Sequence, residues 1–196
     1  GKLYVLASHF HPDHFNKEVL QWREQRPDII YIFSKDILRH RRAQKEDAVW
    51  LKKGEEYKDE TLSVRAFGST DVGVSFLLQT GGKKIFHAGD LNNWHWMDES
   101  TEAEWKGAEK NFLHELDDLY AYTPEVDVAM FPVDPRLGKE YMRGAGQFVT
   151  KIKTHIFVPM HFTPEYAKAN AFRDFAEAHG VRFVSLTHRG QKIEIE

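Results

Sequence analysis

Hydrophobic positions along this chain fall into two textures. The first is a set of short apolar runs bounded by turn residues, the pattern of strands buried on both faces. Leu3-Tyr4-Val5-Leu6-Ala7 and Ile29–Phe33 are of this kind. Further strands are predicted at Val49–Leu51, Leu62–Ala66, Val74–Leu78 and Lys84–Phe86, the last two joined by a Gly81-Gly82 hairpin turn. The second texture has helical spacing. Asn16 caps a helix running to about Gln25, and Ser34 caps a shorter one toward Arg39. A longer helix over Thr101–Tyr120 sets Trp105, Phe112, Leu116 and Leu119 on one face. Beyond it the pattern alternates. A strand at Val126–Phe131 leads to a helix at Tyr141–Lys151, a strand at Ile156–Pro159 and a helix at Pro164–His179. Terminal strands follow at Arg182–Leu186 and Lys192–Ile195. Strands dominate before Asp90 and alternate with helices after it, which predicts a layered α/β fold with sheets inside and helices outside.

Composition narrows the function classes. The 196 residues suit one domain, spanning 1–196, with a core of useful size. A net charge of −3 provides no footprint for nucleic acid. The densest basic run, Arg39-His40-Arg41-Arg42, is followed by Glu46 and Asp47 and reads as a solvated helix end. Without cysteine there are neither disulfides nor thiolate metal sites. No apolar stretch approaches the ~20 residues of a membrane span, and no signal peptide opens the chain. The expectation is a cytoplasmic protein whose partner is a small-molecule substrate, with no nucleic acid and no membrane.

The chemistry concentrates in His9-Phe10-His11-Pro12-Asp13-His14, which follows the first strand directly. Neutral imidazole and carboxylate are the ligands that borderline divalent metals prefer. Alternate residues of extended chain share a direction, so His9 and His11 point together. Asp13 and His14 swing round the Pro12 turn toward a second position. Two adjacent metal ions are the arrangement this suggests, with further ligands drawn from strand ends. Asp90, in Phe86-His87-Ala88-Gly89-Asp90, and His161, in Val158-Pro159-Met160-His161, are the candidates. Taken alone, Asp90 reads equally well as a cap, and His161 reads first as a hydrogen-bonded histidine near the core.

Together these elements, in this order, resemble the metallo-β-lactamase-fold hydrolase superfamily. His87-Ala88-Gly89-Asp90 and Val158–His161 look like the branch that includes the ascorbate-6-phosphate lactonase. The resemblance implies an αββα sandwich with a metal site at one edge. It implies His9 and His11 on one metal, Asp13, His14 and His161 on the other, and Asp90 bridging both. It further implies hydrolysis of a small ester, lactone or phosphoester by a metal-bound hydroxide, with Asp13 also orienting the water's proton. Zinc is the expected metal, with manganese or iron as alternatives.

Two departures qualify the likeness. Relatives commonly place a third histidine on the first metal, before the hairpin, where this chain reads Phe67-Gly68-Ser69-Thr70-Asp71-Val72-Gly73. Asp71 or Thr70 would substitute as an oxygen ligand, or two imidazoles, Asp90 and a water would serve; alone, Asp71 reads first as a turn residue. Either way the first site is expected to be weaker, or harder in its preference. A catalytically weakened, ligand-binding member of the same fold is the alternative. The family's opening strands are also absent before Lys2, so the first sheet is expected to lack neighbours for Leu3–Ala7 and the natural protein to be longer. Trp94, in the aromatic loop after Asp90, and Arg136, in Pro132-Val133-Asp134-Pro135-Arg136, are candidate substrate contacts. An Arg136–Asp134 structural bridge is the competing reading. His87 reads as structural, and His40, His114, His155, His179 and His188 as ordinary.

Overall fold

The computed structural model describes residues 1–194. Two sheets carry the fold. The smaller is wholly parallel, with β1 (Tyr4–Ala7), β2 (Ile30–Ser34) and β3 (Val49–Leu51) in that spatial order. Parallel neighbours need crossover connections. Between β1 and β2 runs the histidine turn and a 3-10 helix, Lys17–Glu24, capped by the Asn16 side chain. Between β2 and β3 runs α1 (Lys35–Arg39), whose N-terminus Ser34 caps.

The larger sheet has seven strands. β4 (Glu56–Lys58), β5 (Ser63–Phe67), β6 (Ser75–Thr80) and β7 (Lys83–His87) pair antiparallel in sequence order. β8 (Glu125–Pro132), β9 (Lys153–Met160) and β10 (Arg182–Phe183) then add parallel to β7. Their crossovers are α2 (Glu102–Tyr122), α3 (Arg143–Lys151), and the pair α4 (Tyr166–Asn170) and α5 (Arg173–Ala178). Thr101 and Glu104 form a capping box at the start of α2.

The larger buried clusters follow from this layering, beside a small one of Val128, Ile156 and Val184. Between the sheets, Ile32, Leu51, Val64, Ala66, Val74 and Phe76 interdigitate. On the outer face of the small sheet, Phe15, Tyr31, Phe33 and Ile37 pack under the 3-10 helix and α1. On the outer face of the large sheet, Phe112, Leu116 and Leu119 of α2 meet Phe86, Phe131, Phe148, Phe157 and Phe172. Helix, sheet, sheet and helix layers therefore succeed one another, as an αββα sandwich requires.

Several expectations are corrected. The segment after Asn16 is a 3-10 helix with no buried residue rather than an α-helix. The helix expected over Pro164–His179 is two short helices, broken where Phe172 turns its fully buried ring into the core. β4 was not anticipated, because only Tyr57 interrupts its polar run. The strand expected at Arg182–Leu186 stops at Phe183, and none forms over 192–194; residue 195 lies outside the described residues. Among the described residues, β1 is an edge strand that pairs with β2 alone. Among the described residues, no helix is long and apolar enough to cross a membrane.

Candidate metal centre

Five chain segments converge at the carboxyl ends of β1, β5, β7, β8 and β9, the rim where open α/β sheets gather their functional groups. The histidine turn leaves β1 and closes on itself, with the His14 and Phe15 amides donating to the His11 carbonyl at 3.0 and 2.9 Å. That closure brings His14 back over His9, their ring centroids 4.0 Å apart. The Phe10 amide donates to Asp36 at 3.0 Å and ties the turn to α1. His9 is fully buried, whereas His11 stands edge-on to it, half-buried, 4.7 Å away.

Asp90 enters from the large sheet through Gly89. A β-carbon on Gly89, whose φ is +55°, would lie 2.8 Å from the Ser8 β-carbon and 2.9 Å from the Val74 carbonyl oxygen. Only glycine therefore lets this turn press against β1. The Asp90 carboxylate then sits between the histidines. Its Oδ2 is 3.3 Å from His9 Nε2, while its Oδ1 is 3.0 Å from His14 Nε2 and 3.3 Å from His161 Nε2.

The sequence-predicted ligands form two groups. His9, His11, Asp71 and Asp90 bring one ligand atom each within 4.8 Å of one another, and so do Asp13, His14 and His161. Asp71 Oδ2 lies 3.6 Å from His11 Nδ1, and Asp13 Oδ2 lies 3.5 Å from His14 Nε2. Counting Asp90 with both groups, each has two imidazoles and two carboxylates. Thr70 is committed elsewhere. Its hydroxyl donates to the Asn92 carbonyl at 2.5 Å and accepts from the Asn92 amide at 3.0 Å, bracing the loop after Asp90.

The polar atoms facing the centre fit a cation. His9 Nε2 and Asp90 Oδ1 are buried, and their approaches to carboxylate oxygen and ring nitrogen at 3.0–3.3 Å lack hydrogen-bond geometry. Orphaned buried groups of this kind are rare unless something else satisfies them. Burial alone would raise the Asp90 carboxyl, but the three surrounding imidazoles hold it far below the usual carboxylate range. A permanent anion ringed by imidazoles is the donor set of a divalent ion.

His161 is positioned with care. It has a left-handed backbone, φ +63°, at the end of β9. Its Nδ1 is 2.9 Å from Asp134 Oδ2, which leaves Nε2 toward the centre. Asp134 is 1% exposed and also takes the Arg136 guanidinium, from Nε at 3.0 Å and from one terminal nitrogen at 2.6 Å. Burial acts to raise the Asp134 carboxyl, but His161 and Arg136 overcome it and bring it to about 2. The Arg136–Asp134 bridge anticipated from sequence therefore exists. The third partner, His161, had no sequence signal beyond Asp134 following an apolar strand.

Trp94 donates its indole N–H to the Asp90 carbonyl at 2.8 Å and stands edge-on to His161 at 5.5 Å. Trp96 stacks beside it at 6.4 Å. Together with Thr70, Asp71, Asp90, Arg136 and His161 they line a cleft of about 270 Å³. A second cleft of about 330 Å³ opens on the other side of Arg136 and His161, toward Asp13 and Phe162. Missed by sequence reasoning were Asn93, whose amide donates to Gln147 at 2.9 Å, and Glu109, which accepts from Arg143 at 2.8 Å; they tie this loop to α2 and α3.

Burial and the nearby His14 push the His87 imidazole down to about 4, and its Nδ1 accepts the Gly89 amide at 3.0 Å. It braces the turn. His40 stacks on Phe10 at 3.7 Å, and His155 contacts Glu125 at 2.5 Å.

Paired His/Asp groups thus stand at the strand ends of a two-sheet sandwich. The profile of the beta-lactamase superfamily domain matches residues 3–162. The chain belongs to that superfamily. Among solved structures, Igni18, a metallo hydrolase from the archaeon Ignicoccus hospitalis, is 16% identical with a TM-score of 0.63, covering 94% of this chain and 76% of its own. A protein of Parabacteroides distasonis, described as a candidate metal-dependent hydrolase, is 17% identical at a TM-score of 0.60, covering 92% and 74%. The fold protein YhfI from Bacillus subtilis is 11% identical at 0.61, covering 93% and 75%. These likenesses are of fold. No curated protein matches the chain.

Proposed function

We propose that this protein is a metal-dependent hydrolase of a small ester, lactone or phosphoester. One observation carries the reading: the Asp90 carboxylate turns one oxygen to His9 and the other to His14 and His161. A carboxylate so disposed would offer one oxygen to each of two cation sites. His9, His11 and Asp71 would hold the first, and Asp13, His14 and His161 the second. Divalent cations there would supply Lewis acidity and a water acidic enough to act as nucleophile near neutral pH.

Zinc accepts such ligands, but two oxygens per site give manganese and iron a better claim than a histidine-richer site would. Asp13 is exposed beside the second group, its Oδ2 3.5 Å from His14 Nε2, and would hold or orient a proton there. Trp94 forms an apolar wall against the substrate, and Arg136, 64% exposed on its side chain, receives a negatively charged part of it. The partner in this reading is a small molecule in the cytoplasm, with neither nucleic acid nor membrane involved. The likeness to ascorbate-6-phosphate lactonase relatives guides the choice of trial substrates.

The test is elemental analysis of protein purified without chelator, for the native chain, His14→Ala and Asp90→Ala. Near two ions per native chain, with loss of one or both in the variants, supports the reading; unchanged content in both variants removes the ligand set. A chromogenic phosphodiester and a panel of sugar lactones then test turnover. A metal-poor protein that still binds such a compound would instead be the ligand-binding form of the fold, to which the exposed, 3.6 Å His11–Asp71 contact lends some support.

A further inference from the structure

Ser8 is a buried hydroxyl, 4% exposed, at the end of β1. Its Oγ lies 3.0 Å from His9 Nδ1 and 3.3 Å from His14 Nδ1. These two imidazoles belong to different metal groups, and their other nitrogens face opposite oxygens of Asp90. We propose that Ser8 is a positioning residue shared by both metal sites, its one oxygen fixing the ring orientation and tautomer of a ligand in each. The inference rests on the two-ion reading above.

Proton counting makes the role specific. A ring that binds a cation through Nε2 carries its remaining proton on Nδ1. Both His9 and His14 then present an N–H to Ser8, and a hydroxyl oxygen has two lone pairs with which to accept both. Were the serine to donate to one ring instead, that ring would carry its proton on Nε2 and lose its ligand lone pair. The double-acceptor arrangement is therefore the one compatible with two bound ions. Outer partners of this kind orient ligand imidazoles and raise their basicity.

The surroundings hold Ser8 in place. Its carbonyl accepts the Val74 amide at 3.0 Å. A β-carbon on Gly73, whose φ is +75°, would come within 2.1 Å of that carbonyl oxygen, and one on Gly89 within 3.1 Å of the Ser8 hydroxyl. Glycines in two loops of the large sheet thus leave room, Gly73 for the Ser8 carbonyl and Gly89 for its side chain.

Stepwise zinc affinities, measured against a chromophoric chelator for the native chain and Ser8→Ala, test the proposal. Both zinc steps should weaken together in Ser8→Ala, each by about 10- to 100-fold. The metal-free melting temperature of Ser8→Ala should stay within a few degrees of native. Weakening of a single step, or of neither, overturns the shared role. Should Ser8→Ala not fold, the zinc-loaded native chain carrying ¹⁵N-labelled histidine rings decides. Two Nδ1-bound protons on His9 and His14, protected from exchange, are expected, and a ring protonated on Nε2 at either position overturns the proposal. Native protein that takes up none of zinc, manganese or iron fails the two-ion reading itself, a separate outcome.

Discussion

His161 and His11 each offer a ring nitrogen to one half of the candidate centre, yet their supports differ. His161 leans on Asp134, a carboxylate 1% exposed and itself clamped by Arg136. His11 is half-buried, and its nearest carboxylate, Asp71, is 43% exposed on a loop, 3.6 Å away. The donors are chemically alike in the two halves. What separates them is how much order is present before an ion arrives, and preorganisation of outer partners is worth one or two decades of affinity. The second half should therefore be the tighter.

Asp134→Ala gives the largest separation expected. It should leave the His161 ring unoriented and cost the second ion about 100-fold in affinity with little change to the first, read by stepwise zinc titration. Asp71→Ala removes an exposed ligand rather than an outer partner, and should weaken only the first ion, by less than Asp134→Ala weakens the second. An Asp71 effect equal to the Asp134 effect would break the comparison. Asp71→His sharpens it, shifting the first site's manganese-to-zinc preference toward zinc.

A smaller effect is expected from pH. In the metal-free protein burial would lower the His161 imidazole, but Asp134 and Asp90 raise it to about 9 from an ordinary 6.5. Raised in the folded state, this group adds stability that is full below 6.5 and is lost as pH climbs through 9. The difference in melting temperature between native chain and His161→Gln should shrink by a few degrees over that span. A constant difference would show that the Asp134 contact is not an ionic one. The smallest effect belongs to Arg136→Ala at the exposed rim. A severalfold rise in KM for anionic substrates, with kcat nearly unchanged, is expected from steady-state kinetics.

Legibility in the sequence followed the range of the interactions. The two sheets were readable because buried parallel strands are largely apolar runs, as in residues 30–33 of β2 and 128–131 of β8. Capping at Asn16 and Ser34 is local chemistry and also lay open. β4 was hidden because a three-residue edge strand has a single inward side chain. Within the centre, His9 through His14 announced themselves by density. Ser8 and Glu109 did not, since one serine before a histidine and one glutamate within a helix acquire meaning only through partners brought up by the fold. Asp134 was legible as a neighbour of Arg136, two residues away, but its bond to His161 spans 27 positions.

His9 and His14 hang from the three-stranded sheet, whereas Asp71, Asp90, Asp134 and His161 belong to the seven-stranded one. Cations bound among them would act as rivets through the seam of the sandwich. Ligand affinity for the assembled form then adds directly to its resistance against opening. Chelation should accordingly loosen the two layers from each other before it melts either one, and amide exchange along β1 should quicken ahead of that along β8.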